Sequence, residues 1–156
     1  MKVPPTRKRL RHPKIDYRGP GWFFTTICAA KMKCIFGWIE DGSFLPSWIG
    51  AIVDRQWRLT ESMRPGVRLD LFQVMPNHFH GILELLTEEQ SYDHVISGFK
   101  AAVTAAVRQR LGKVFEVWQR GSWDHRIRDE NDLHRLREYI LNNVREWERD
   151  DLYVAR

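Results

Sequence analysis

Only two cysteines, Cys28 and Cys34, occur in the 156 residues, too few for a disulfide framework and not spaced as a metal knuckle. Both thiols are expected to be reduced, and a cytoplasmic protein is the simplest reading. Long apolar runs are also missing: no window approaches the ~20 residues that a membrane-spanning helix requires. The N-terminal stretch MKVPPTRKRLRHPK has basic residues but no apolar segment after them, so no signal peptide is expected. No internal repeat or low-complexity segment is visible. Aromatic residues are plentiful. Seven Trp and eight Phe in a chain that is 43% apolar exclude disorder. A chain of this length buries one core without staples, so one folded domain is expected over residues 19–156.

The formal charge of +5 is unevenly placed. Residues 1–18 carry Lys2, Arg7, Lys8, Arg9, Arg11, Lys14 and Arg18 against Asp16 alone, a net of +6, and the remainder of the chain is close to neutral at −1. The basicity belongs to a terminal arm. Prolines at 4, 5 and 13 favour an extended arm, and such arms bind polyanions by displacing condensed counterions. Arg7, Lys8, Arg9 and Arg11 are the arm's candidate DNA contacts; a solvated tail that aids solubility is the plainer alternative.

Past Gly19-Pro20-Gly21, the aromatic and β-branched run Trp22–Ala29 predicts a strand. Cys34–Ile39 predicts a second, forming a hairpin with the first that turns near Lys31. Ser47 is a good N-cap for an amphipathic helix reaching about Ser62, stopped by Arg64-Pro65-Gly66. Val67–Met75 alternates as a strand, Pro76-Asn77 turns, and His78–Leu86 continues as the next strand. Ser91–Leu111 has helical spacing and ends at Gly112. Val114–Trp118 predicts a short strand, Gly121–Arg128 reads as irregular, and Asp129 or Asn131 caps a last helix to about Arg149. The order predicts an α+β, ferredoxin-like fold: a mostly antiparallel sheet with helices packed on it.

The stretch Met75-Pro76-Asn77-His78-Phe79-His80 holds the most chemistry. Strand side chains alternate, so His78 and His80 share one face while Phe79 points to the other. Two imidazoles a pleat apart make a two-point metal platform, although such a pair is also common as a plain hydrogen-bonding pair. On the last helix Leu133, Leu136, Ile140, Val144 and Trp147 form an apolar stripe, with Tyr139 and Asn143 together on its flank. A tyrosine there is ordinarily amphipathic filler; the amide one turn later offers an oxygen ligand for a hard cation. Two body cations, Lys100 in Gly98-Phe99-Lys100 and Arg120 in Trp118-Gln119-Arg120, are further candidate DNA contacts. His125 is a candidate for orienting the site or touching phosphate, against the plainer reading of a histidine bonded locally to Asp124 or backbone.

The segments MPNHFHGILEL and WQRGSWDHRIRDENDLHRLREYILNN resemble the single-tyrosine HUH transposases of the insertion-sequence-200 type, in particular the branch of REP-associated tyrosine transposases. The resemblance spans nearly the whole chain, including PGWFFTTICA, CIFGWIE and GFKAAVT. It implies that His78 and His80 bind a divalent metal, Mg²⁺ or Mn²⁺, that Tyr139 is the nucleophile, and that Asn143 is a further metal ligand. Relatives often follow the paired Asn with Pro, where this chain has Val144. The implied activity is cleavage and rejoining of single-stranded DNA through a 5′-phosphotyrosine link, next to hairpins, by monomers or by a homodimer. Other readings of the same residues are a non-catalytic nucleic-acid-binding module on a ferredoxin-like scaffold and a small metallohydrolase. No residue stands out as general base.

Overall fold

Both faces of the first strand are covered, which explains the run of buried residues it carries. The computed structural model describes residues 16–155, so Arg7, Lys8, Arg9 and Arg11 lie outside the described residues. Strand β1 (Gly21–Cys28) is followed by a 3₁₀ turn (Ala30–Met32), a hairpin of β2 (Gly37–Glu40) and β3 (Ser43–Pro46), and helix α1 (Trp48–Met63). Then come β4 (Val67–Met75), β5 (His78–Leu85), α2 (Tyr92–Leu111), β6 (Trp123–Ile127), α3 (Glu130–Asn142) and a second 3₁₀ turn (Trp147–Arg149). The main sheet has the order β4-β5-β1-β6, with every neighbouring pair antiparallel. The crossovers β1-α1-β4 and β5-α2-β6 each skip one strand. This is the ferredoxin-like α+β plan that the element order predicts.

Period-two alternation divides the sheet into two faces. On one, Phe23, Ile27, Phe79 and Leu83 pack against Val53 and Trp57 of α1 and Phe99, Val103 and Val107 of α2. On the other, Phe24, Ile82 and Ile127 pack against Leu136 and Ile140 of α3. Glycine is required where Gly81 crosses the first core, because a Cβ there would lie 2.8 Å from the Trp57 ring. Helix starts follow their caps: the Ser47 side chain accepts from Gly50 N, Ser91 from His94 N, and Asp129 from Asp132 N. Gly112 closes α2 in the left-handed region at φ 66°. Tyr17 is buried against Phe23 and Tyr92, and Arg126 donates to the carbonyls of Asp16, Arg18 and Pro20.

Four local expectations are corrected. The segment after β1 does not pair with it: β5 and β6 occupy both edges of β1, and β2 pairs with β3 in a separate two-stranded sheet. Val114–Trp118 is not a strand, and only an isolated bridge joins Ala29 to Trp118. Conversely Trp123–Ile127, read as irregular, is the edge strand β6; its core-facing position holds the buried Asp124, which breaks the apolar alternation. Finally, α-helical bonding stops at Asn142 rather than near Arg149. The chain tightens into turns, with Asn143 N on Ile140 O and Trp147 N on Val144 O, before doubling back to the sheet.

Candidate active site

His78 and His80 sit on the α3 side of the sheet because they alternate with Phe79, which α1 and α2 bury on the far side. Both imidazoles are fully buried, with ring centroids 4.6 Å apart. Each ring is held from behind at Nδ1. Asn77 Nδ2 donates to the carbonyls of Leu152 (2.8 Å) and Met32 (3.4 Å), so its Oδ1 is the end that faces His78 Nδ1 at 2.8 Å. An acceptor at that point puts the His78 proton on Nδ1 and leaves Nε2 with a lone pair. Thr26 Oγ1, the cross-strand partner of His80, lies 2.7 Å from His80 Nδ1, and with the proton assigned to that nitrogen the ring takes the same tautomer.

The Nε2 atom of His78 faces a carboxylate rather than a donor. Four side-chain atoms of these elements are buried with no hydrogen-bond partner among the described residues: His78 Nε2, His80 Nε2, Asn143 Oδ1 and Asp150 Oδ2. Asp150 Oδ2 is 3.6 Å from His78 Nε2, and the ligating atoms of His78, His80 and Asp150 all lie within 4.8 Å of one another. Orphaned lone pairs cost about 1–3 kcal/mol each when buried, more for a charged group. Three of them, on His78, His80 and Asp150, lie close enough together to suit a divalent cation, whose ligands at about 2.0–2.2 Å stand roughly 3–4 Å apart. The environment suits that charge. Burial pushes His78 down to about 3 and His80 well below the ordinary histidine value, so both are neutral as ligands must be. Burial also raises the Asp150 carboxyl, while its hydrogen bond from Leu152 N pulls it back.

Tyr139 lies beside this histidine pair, in the same chain. Its ring meets His80 edge-on with centroids 5.2 Å apart and packs against Phe24 at 6.3 Å. Burial, and next the negative charge of Asp150, push the phenol up to about 12, while a hydrogen bond with the Asn143 side chain pulls it back. Helix α3 is fixed to the sheet by Leu136 and Ile140, by Arg137 on Asp70 of β4 at 2.7 Å, and by Asp132 on His125 of β6 at 2.6 Å. His125 therefore bonds locally, though to Asp132 rather than to Asp124. Asp124 faces the other core, where Thr25, Tyr92 and Ser122 donate to its Oδ1.

The four residues His78, His80, Tyr139 and Asn143 thus come together. Lys100 is engaged elsewhere: its Nζ donates to the carbonyls of Gln119 and Gly121, bracing the loop that carries the exposed Arg120. Asp150 and Asn77 were not singled out by the sequence reading. Asn77 looks like an ordinary turn residue, and Asp150 reaches His78 only because the chain reverses after α3; no spacing announces it.

No family model matches the chain. A Haemophilus influenzae protein described as uncharacterized is 34% identical over 169 residues, a match covering 95% of this chain and 93% of that protein. This chain belongs to the same family. Among solved structures, that of a REP-associated tyrosine transposase bound to a REP hairpin has a TM-score of 0.67 over 88% of this chain and 74% of that one, at 19% identity. The likeness establishes a shared fold with the tyrosine transposases, the group that the histidine and tyrosine motifs resemble. No helix among the described residues is long and apolar enough to cross a membrane.

Proposed function

We propose that this protein cleaves and rejoins single-stranded DNA with Tyr139 as nucleophile, acting within one chain beside a divalent cation, Mg²⁺ or Mn²⁺. The observation that carries the reading is the convergence of three orphaned buried lone pairs, from His78, His80 and Asp150, next to the Tyr139 ring, with the orphaned Asn143 Oδ1 one helical turn past that tyrosine. Those four side chains would hold the cation. Bound there, it would draw charge from the non-bridging oxygens of the scissile phosphate and favour attack.

The chain's own groups supply the rest. A free phenol has a pKa of about 10, so roughly 0.1% is ionised at neutral pH; at about 12 the Tyr139 fraction is a hundredfold smaller. Asn143 opposes that shift by bonding the phenol oxygen, and α3 holds the ring in place. As Tyr139 Oη loses its proton it bonds to phosphorus. The bond from phosphorus to the 3′-oxygen breaks, and that oxygen takes up a proton to leave a free 3′-hydroxyl. The aryl phosphodiester that forms has a better leaving group than a serine ester, so an incoming 3′-hydroxyl reverses the step and the protein joins strands as well as cutting them.

The fold neighbour is bound to a REP hairpin, which supports hairpin DNA as the substrate here. Arg7, Lys8, Arg9 and Arg11 of the arm and the exposed Arg120 would meet phosphates; Lys100 would do so only by leaving its two carbonyls. Gel analysis of a labelled hairpin oligonucleotide with single-stranded flanks tests the reading. Cleavage in Mn²⁺ or Mg²⁺ is expected, with none in EDTA or in His80→Ala, while the hairpin still binds. Binding without cleavage in either metal would replace the nuclease with a non-catalytic DNA-binding module.

A further inference from the structure

We infer that a groove beside the candidate site holds the single-stranded DNA flanking the cut, with bases stacked on aromatic rings and phosphates met by Lys31 and Lys33; the inference rests on the function proposed above. The groove has a volume of about 650 Å³. The β2–β3 hairpin forms one wall with Trp38, the C-terminal segment forms the other with Trp147 and Tyr153, and the turn carrying Lys31 and Lys33 lies between them. That hairpin is an addition to the ferredoxin-like plan and contributes no strand to the main sheet.

The groove adjoins the histidine pair. Trp147 in its wall has its ring 6.0 Å from that of His78, and Pro76 in its lining leads directly into Asn77 and His78. The aromatic surface is accessible, with Tyr153 40% and Trp38 37% exposed, and Tyr153 is set edge-on to Trp147 at 5.2 Å. Lys31 and Lys33 are exposed, and neither makes an ion pair or a side-chain hydrogen bond among the described residues. Glu148 is the one acidic residue in the lining among the described residues. Lys31 and Met32 both have left-handed backbones, at φ 56° and 55°, conformations that L residues keep only where their surroundings impose them. Aromatic faces beside uncompensated cations match the two repeating parts of a single strand, its bases and its phosphates. A peptide offers no such repeat, and the phosphodiester chemistry proposed next door brings this strand to the spot.

The probe is a fluorescein-labelled oligothymidylate of about 12 nucleotides, a length within the range single-strand grooves occupy, bound to the full chain in EDTA. Lys31→Gln/Lys33→Gln is expected to bind about tenfold more weakly, with a salt slope shallower by about 1.4, two phosphates' worth. Tyr153→Ala is expected to lose about fivefold or more from one stacked base. Cys34, exposed in the same groove, gives a footprint: the oligonucleotide is expected to slow its reaction with a maleimide. Unchanged affinity and slope in the variants, or an unprotected Cys34, overturns the inference. These readings need no cleavage, so they separate from the nuclease. A chain that cleaves in Mn²⁺ while its groove variants bind as before loses the groove alone. A chain that binds through the groove yet never cleaves loses the nuclease alone.

Discussion

Asn77 has both ends of its amide committed, the nitrogen to two carbonyls and the oxygen to His78. It decides a tautomer from behind the ring. Asn77→Ala would strand His78 Nδ1 and the Leu152 carbonyl inside the protein, at a cost of about 2–3 kcal/mol. The free-standing imidazole would also bind metal some 10–100-fold more weakly. Urea unfolding and calorimetric Mn²⁺ titration check both. A second expectation concerns pH in metal-free protein. The imidazoles are neutral in the fold, His78 down to about 3 and His80 well below the ordinary value, whereas in the unfolded chain both titrate near 6.5. Above about pH 6.5 neither state takes up the proton and stability is flat. Below it the unfolded chain gains protons that the fold refuses, so stability falls by up to about 1.4 kcal/mol per pH unit for each histidine, down to about pH 3 for His78. Urea unfolding in EDTA at several pH values should show this fall, with a shallower profile in His78→Gln/His80→Gln.

At the scale of the element, α3 carries both Tyr139 and Asn143, so its start and its docking set their position. Asp129→Ala removes the side chain that receives Asp132 N at 2.8 Å and is expected to cost about 1 kcal/mol. Faster hydrogen exchange in the first turn of α3, with α1 and α2 unaffected, is the corresponding observation. Helices and the β4–β5 pair were legible in the sequence because their signals are local: caps, 3.6-residue periodicity, and a two-residue turn between alternating runs. The partners of β1 were not. Strand pairing is settled by contacts across the whole chain, and β1 pairs with residues fifty or more positions away on one side and about a hundred on the other. Strand β6 escaped notice because a buried carboxylate with three hydroxyl donors stands where an apolar residue would mark the strand.

At the scale of the whole molecule, the candidate site forms where three parts of the chain meet: β5, the distant α3, and the reversal that follows α3. Two of these were readable, since His78 with His80 and Tyr139 with Asn143 are pairs whose spacing alone puts them on one face. The third was hidden, because Asp150 arrives through a tightening of the last helix that the apolar stripe up to Trp147 does not betray. The central claim concerns one tyrosine of four, the others being Tyr17, Tyr92 and Tyr153. Tyr17 and Tyr92 are buried in the opposite core, and Tyr153 lies in the proposed groove. Tandem mass spectrometry of protein incubated with a hairpin oligonucleotide and Mn²⁺ would find a 5′-phosphodiester on the peptide bearing Tyr139, and none after Tyr139→Phe. A modified Tyr153 or any other residue, or cleaved DNA with no modified tyrosine, would contradict it.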